Sequence, residues 1–253
     1  MSKITLSSVR KEFYSGKNRV LALEDATLEI ADKETVCIVG PSGCGKTTVL
    51  NLIAGFLQAS SGEVRVGDRP VIGPGDDRAV VFQSDAVFPW MTVARNVGFG
   101  SKVQKLSGGA RADHIDHYLG LVGLRDFASS YPKALSGGMR KRVDIARAYA
   151  NTPEVLLLDE PFGALDVFTR ESMWLSLRQI TKADPRTVVF VTHDIEEALF
   201  LGDRVVIMTP RPARIHSVVD VPFGEDRDLD LRDSIEFQAL RATISHSLRD
   251  VQS

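Results

Sequence analysis

The sequence predicts an α/β fold, a parallel sheet covered by helices on both faces, and three observations carry that expectation. Val36-Cys37-Ile38-Val39, Val155-Leu156-Leu157-Leu158, Thr187-Val188-Val189-Phe190-Val191 and Val205-Val206-Ile207-Met208 are nearly continuous apolar runs, the pattern of strands buried on both sides. Helical spacing fills the intervals, over about 170–182 and 196–201, and strands alternating with helices build a parallel sheet. The third observation is Gly40-Pro41-Ser42-Gly43-Cys44-Gly45-Lys46-Thr47-Thr48, a glycine-rich stretch between the first apolar run and the apolar helical pattern 49–54.

That strand–loop–helix context is what a phosphate-binding loop needs. Glycine lets the backbone turn tightly enough for successive N–H groups to face phosphate oxygens. The helix adds its unpaired N-terminal N–H groups and the positive end of its dipole. In the pattern G-x-x-x-x-G-K-T, Lys46 is expected to reach the β- and γ-phosphates and the Thr47 hydroxyl to ligate Mg²⁺. A glycine-rich turn with an incidental lysine is the bland alternative, and the full pattern in this context disfavours it. The chain is expected to bind a nucleoside triphosphate.

Upstream, Ile4, Leu6 and Ser8 alternate with Thr5, Ser7 and Val9, and 26–30 alternates again. A small antiparallel sheet is therefore expected beside the nucleotide site. Phe13-Tyr14-Ser15-Gly16-Lys17-Asn18 is expected to be its turn, with two rings that either stack on a nucleotide base or fill the sheet's core. Downstream, Gly55 should cap the phosphate-loop helix, 61–68 should form a hairpin piece, and 79–83 a short strand ending in Gln83. From about Pro89 to Thr152 the β-branched runs stop, and Ile115, Tyr118, Leu119, Val122 and Leu124 recur at helical spacing. This stretch, about 84–152, is expected to be a helical subdomain inserted in the core of a 1–208 domain. The tail, 209–253, is rich in proline and charge, closes on a helical pattern at Phe237, Leu240, Ile244 and Leu248, and is expected to be a short C-terminal extension.

Composition bounds the function. A chain of 253 residues buries roughly 70–75% of its unfolded surface and needs no covalent staples. A net charge of -2 argues against a general grip on nucleic acid. No segment approaches the ~18 consecutive apolar residues of a membrane span, and the polar start Met1-Ser2-Lys3 is not that of a signal peptide. Any membrane role is expected to run through a partner. Cys37 and Cys44 fall in a buried strand and in the phosphate loop, so neither suits a disulfide and the reducing cytosol is the expected compartment. A reactive Cys44 thiol beside Lys46 is a minor alternative.

Asp159-Glu160 closes an apolar run, and carboxylates at the C-terminal ends of parallel strands sit where ligands bind. Asp159 is the expected Mg²⁺ holder and Glu160 the general base for an attacking water, although such a pair also caps helices. His193 and Gln83 end strands near the same edge and are weaker candidates for the γ-phosphate, water or the metal. Leu135-Ser136-Gly137-Gly138 opens a basic helix: Ser136 suits an N-cap, and the glycines expose N–H groups at a second anion-friendly helix start.

The phosphate loop, Gln83, Leu135-Ser136-Gly137-Gly138, Leu156-Leu157-Leu158-Asp159-Glu160-Pro161, Ala164-Leu165-Asp166 and His193 follow the order and spacing of ATP-binding cassette (ABC) ATPases, which the chain resembles from residue 1 to about 210. The resemblance implies a P-loop NTPase (RecA-like) core, an antiparallel β subdomain and an inserted helical subdomain. It implies a head-to-tail dimer around two ATPs. Lys46, Thr47, Gln83, Asp159, Glu160 and His193 then act on a subunit's own ATP, while Ser136, Gly137 and Gly138 face the γ-phosphate of ATP held by the partner. Asp166 falls at the seam, and Phe13 at the adenine-stacking position, with Tyr14 the neighbouring candidate. Leu106-Ser107-Gly108-Gly109 repeats the tetrapeptide without the basic helix and too far from Asp159, so it is taken as coincidental. Met139-Arg140-Lys141-Arg142 departs from the family, many of whose members carry glutamine after the glycines.

Gly-Pro-Ser-Gly-Cys-Gly-Lys, Phe88-Pro89-Trp90, Pro161-Phe162-Gly163, Thr192-His193-Asp194-Ile195-Glu196-Glu197-Ala198 and the tail pieces Arg211-Pro212-Ala213-Arg214-Ile215 and 237–241 resemble importer subunits for nitrate, sulfonate and taurine. The implied partners are a second cassette, identical or paralogous, and separate membrane permease subunits docking near 88–93, unless that stretch is ordinary local core. An extracytoplasmic solute-binding protein is implied indirectly. The implied place is the cytoplasmic face of the inner membrane. Rival readings are an exporter subunit, a cassette acting on ribosomes or DNA, and a non-hydrolysing adaptor. The second lacks its paired cassettes or heptad insertion; the third conflicts with the presence of Lys46, Asp159, Glu160 and His193.

Overall fold

The computed structural model describes residues 2–16 and 18–252. Met1 of the polar start and Lys17 of the expected aromatic turn lie outside them. In chain order the elements are β1 (Ile4–Ser15), β2 (Asn18–Ile30), β3 (Thr35–Val39), α1 (Lys46–Ala54), β4 (Ser61–Val66), β5 (Arg69–Pro70), β6 (Arg78–Val81), α2 (Val93–Val97), α3 (Ser101–Gln104), α4 (Gly108–Leu121), α5 (Gly137–Ala150), β7 (Val155–Asp159), α6 (Val167–Ala183), β8 (Thr187–Val191), α7 (Ile195–Leu201), β9 (Arg204–Met208), β10 (Ile215–Asp220) and α8 (Ile235–Asp250).

The apolar runs form the core sheet, in the order β10-β9-β3-β8-β7-β6. All neighbours in it are parallel except β10, which pairs antiparallel with β9. Side chains one residue apart on a strand point to opposite faces, and the burial follows that rule. Val36, Ile38, Leu157, Val189 and Val206 pack with α1 and the antiparallel sheet; Cys37, Val39, Leu156, Leu158, Phe190 and Val205 pack with the helices opposite. Because both faces are covered, no polar residue is tolerated mid-strand, and the runs are continuous rather than alternating.

The antiparallel sheet has the order β2-β1-β4-β5. Its expected alternation holds for Ile4, Leu6, Ala26, Leu28 and Ile30, all buried, and fails at Val9, which strict alternation puts on the face opposite Ile4 and Leu6 but which is fully buried. The cause is a β-bulge: Leu6 pairs with Leu28 and Val9 with Ala26, so two residues, Ser7 and Ser8, oppose Thr27. Ser8 absorbs the kink at φ 45 and moves Val9 to the inner face. Phe13 and Tyr14 sit on β1 rather than in the turn, paired with Val20 and Arg19.

From Pro89 to Thr152 the chain forms helices joined by turns. α2, α4 and α5 pack on one another, and α5 also leans on β6 and α6. After residue 208 the chain adds β10 to the core sheet, and α8 packs on α7 and β9 through the buried Phe237 and Ile244. Among the described residues no helix is long and apolar enough to cross a membrane.

Candidate functional site

The phosphate loop leaves β3 at Val39 and enters α1 at Lys46. Gly43 and Gly45 have φ of 72° and 125°, backbone that side chains with a Cβ rarely adopt. This twist opens a cavity of about 230 Å³ lined by Ser42, Gly43, Gly45, Lys46, Thr47, Thr48, Glu160 and Arg211. Lys46 is buried, with Nζ donating to the carbonyls of Gly40 at 2.9 Å and Pro41 at 3.2 Å, and 3.9 Å from Glu160 Oε1. Cys44 is buried rather than reactive, and burial pushes its thiol up despite the nearby Lys46 ammonium.

β7 delivers its carboxylates to the same place. The Thr47 hydroxyl donates to Asp159 Oδ1 at 3.1 Å, joining residues 112 positions apart. Burial raises the Asp159 carboxyl above its usual range, and the Glu160 charge adds to this, while the Thr47 bond and Lys46 pull it down. A half-buried carboxylate that resists ionisation is a group that gains from a bound cation. Among the described residues no cluster of three His, Cys, Asp or Glu forms a metal cage. One carboxylate and one hydroxyl beside a phosphate loop instead fit a Mg²⁺ that would share its remaining sites with phosphate oxygens.

Glu160 has φ 43, and its N–H donates to Val191 O on the neighbouring strand at 2.9 Å. A non-glycine residue held there by the sheet is the kind of local strain found at working sites. His193 Nδ1 lies 3.2 Å from Glu160 Oε2, and an ionised Glu160 accepts from it. Gln83 and His193 converge on Gly163: a Cβ placed there would lie 3.8 Å from both Gln83 Nε2 and His193 Cε1. Strands β6 and β8 end at Val81 and Val191, two residues before Gln83 and His193, so both side chains hang from loops rather than from strand ends. Behind His193, buried Glu197 is bonded by the Thr192 hydroxyl and by Trp174 Nε1 at 2.8 Å. Burial pushes its carboxyl up to about 7.

Six expected residues lie elsewhere. Ser136 caps α5, accepting from the Met139 N–H at 3.3 Å, and neither it, Gly137 nor Gly138 lines the phosphate-loop cavity. Asp166 caps α6 through Thr169 N at 3.0 Å and Thr169 Oγ1 at 2.7 Å, bonds that hold its carboxyl below the usual range. Phe13 is 38% exposed and Tyr14 70%, which removes the alternative that these rings fill the sheet's core. Lys11 Nζ sits over the Phe13 ring, 5.1 Å from its centroid.

Other connections join segments that no local pattern links. Lys141 Nζ donates to the carbonyls of Phe82 and Gln83 at 3.0 and 3.1 Å, and Arg140 pairs with Asp85 at 2.7 Å. The basic residues after the glycines thus hold the loop that carries Gln83, which their charge alone did not reveal. Trp90 is 68% exposed and leans on Phe88, whose ring also packs on Phe99 and Arg147. Arg211, part of the tail motif 211–215, lines the phosphate-loop cavity.

The profile of the ABC transporter family matches residues 23–163. An ATP-binding protein of Brucella abortus (strain 2308) is 52% identical over 228 residues, 90% of this chain and 88% of its own. The taurine import ATP-binding protein TauB of Roseobacter denitrificans is 42% identical over 249 residues, 97% of this chain and 92% of its own. A solved ATP-binding cassette, dimeric and in a post-hydrolysis state with ADP and Pi, superposes with a TM-score of 0.74 at 32% identity, covering 87% of this chain and all of that one. A matching profile over more than half the chain, relatives spanning nearly all of it and a shared fold agree with a phosphate-loop cavity lined by Glu160, with Asp159 bonded to Thr47 beside it: the chain belongs to the ABC transporter family, as one of its ATP-hydrolysing cassettes.

Proposed function

We propose that this cassette is the ATPase subunit of an importer for small sulfonate-type solutes such as taurine. It works as a head-to-tail dimer, with itself or a paralogous cassette, at the cytoplasmic face of the inner membrane. The observation that carries this reading is the reach of the likeness to the taurine import protein, which extends beyond the ATPase domain at 1–208 into the extension at 209–253. Separate permease subunits take up the stroke, with the exposed ring of Trp90 in the helical subdomain, about 84–152, as part of their seat. An extracytoplasmic binding protein supplies the solute, and no nucleic acid takes part.

In this reading the loop 40–48, through its backbone N–H groups (all but Pro41 carry one), and Lys46 hold the β- and γ-phosphates. Thr47, Asp159 and Gln83 hold Mg²⁺, which offsets charge on the phosphoryl oxygens when bound. Glu160 takes a proton from the attacking water, and His193, donating to the Glu160 carboxylate at 3.2 Å, keeps it aimed. Ser136, Gly137 and Gly138 contact the γ-phosphate across the dimer, Asp166 sits at the seam, and Phe13 stacks on adenine. Replacing Glu160 with Gln keeps the shape and removes the base. E160Q should bind ATP normally and lose roughly 10²–10⁴ in turnover. A strain lacking this chain should lose uptake of labelled taurine, an alkanesulfonate or nitrate, and regain it with the wild type but not with E160Q. Unchanged uptake of all three solutes in that strain would sink the importer assignment.

A further inference from the structure

We infer that Arg211 is a nucleotide-binding residue: a second cation of the phosphate site, delivered to it by the β9–β10 turn. The inference deepens the ATP-site reading and rests on it. Arg211 lines the same cavity as Lys46, Thr47 and Glu160. A methyl group on Gly43 would lie 3.9 Å from Arg211 Nη2, which places the guanidinium at the tip of the loop.

The turn that carries Arg211 is tied down on both sides. Ala213 N donates to Ala22 O at 3.1 Å and Glu24 N to Ala213 O at 2.8 Å, so the turn is stitched to β2. Thr209 N donates to Arg214 O at 3.0 Å, and the Thr209 hydroxyl accepts from Arg214 N at 3.0 Å, closing the turn on itself. Its flanks touch the phosphate loop: Met208 O would lie 3.1 Å from a Cβ on Gly40, and the Ala213 methyl 3.6 Å from one on Gly45.

The two arginines of the turn are used differently. Arg214 pairs with Glu24 at 3.0 Å. Arg211 has no hydrogen bond or ion pair among the described residues, and it faces a cavity whose other cation, Lys46, donates to carbonyls of its own loop. A triphosphate carries more negative charge than one Mg²⁺ offsets, and here it would lie beside Asp159 and Glu160. One ammonium and one helix start leave that charge under-compensated. A guanidinium suits the task because its planar fork gives two parallel bonds to phosphate oxygens.

The test is titration of the full-length chain with MgATP at fixed ionic strength, comparing wild type, R211K, R211A and R211E, with the unfolding midpoint of each ligand-free protein as a fold control. Dissociation constants should rise in that order, by about three-fold, ten-fold and thirty-fold, as expected for loss of one charge-assisted contact on an exposed side chain. Ligand-free midpoints should stay unchanged, and the gap between wild type and R211A should narrow as salt rises. Binding by R211A and R211E within two-fold of wild type would overturn the inference and leave the ATP site standing. Failure of the wild type to bind MgATP would overturn the site reading as well. Should R211A unfold early, R211K, which keeps bulk and charge, decides by its own modest loss at an unchanged midpoint.

Discussion

Leu-Ser-Gly-Gly occurs twice in this chain, at 106–109 and 135–138, and both copies open a 14-residue helix at the first glycine. The local outcome is the same because the local chemistry is: a serine in extended backbone, then two residues free to start a helix. What each start is bonded to and packed against differs. Ser136 accepts the Met139 N–H, whereas Ser107 makes no capping bond. A Cβ on Gly138 would meet Thr169 Cγ2 of α6 at 2.5 Å, while Gly108 and Gly109 face open space. α5 buries residues along most of its length and binds the Gln83 loop through Lys141; α4 buries Tyr118 and Leu119. The tetrapeptide specifies a helix start, and the residues after it decide whether that start is built into a machine.

The comparison breaks most visibly in turnover. G138D puts a charge and a side chain where α6 leaves no room, at the copy proposed to face the partner's ATP. Steady-state ATPase should fall by about 10²–10³-fold, the scale of lost transition-state donors, while G109D should stay within about two-fold. Equal losses in both would show that the two helix starts are not functionally distinct.

A second difference lies behind α6. Thr169, which covers Gly138, shares its helix with Trp174, and Trp174 bonds buried Glu197 on α7. Burial raises the Glu197 carboxyl from 4.5 to about 7. Between those values the folded chain keeps a proton that the unfolded chain has lost, so stability falls as pH rises through this window and levels off above it. Glutamine offers Trp174 Nε1 an amide oxygen in place of the carboxyl oxygen and removes the ionisation. E197Q should match the wild type near pH 4.5 and exceed it by about 3 kcal/mol above pH 7, as chemical denaturation across that range would reveal. A difference independent of pH would mean that Glu197 is not the titrating group.

The smallest effects carry opposite signs. Alanine in a helix is worth about 0.5–1 kcal/mol over glycine, and overpacking costs about 1–3 kcal/mol. Thr169 yields little, because it is β-branched and bonded to Asp166. G138A should therefore lose about 1 kcal/mol net, and G109A should gain about 0.5–1 kcal/mol. Thermal or urea unfolding of the pair reads the sign directly, and two gains would show that α6 gives way.

Much of the fold and most of the candidate site were legible in the sequence. Val155-Leu156-Leu157-Leu158 and its counterparts announced a doubly covered sheet because burial on both faces forbids polar residues in the strand. The loop from Gly40 to Thr48 was legible because its chemistry is backbone geometry, which glycine spacing encodes directly. Thr47 follows from the phosphate-loop pattern and Asp159, Glu160 and His193 from the ends of apolar runs; the parallel topology brings Thr47 to Asp159 and His193 to Glu160.

What the sequence could not supply depends on contacts between distant segments. Val9 changed face because a bulge at Ser7-Ser8 reset the register, and no local pattern records a register. Lys141 and Arg140 looked like an ordinary basic helix until packing laid them against the Gln83 loop. Arg211 looked like part of a charged tail until β10 joined the sheet edge and folded its turn back onto residues about 170 positions earlier. By itself the sequence determined which segments form strands, helices and a phosphate loop, since these follow from periodicity and backbone freedom. The tertiary structure alone decided which charges meet, because a side chain's partner is set by sheet order and packing and not by its neighbours along the chain.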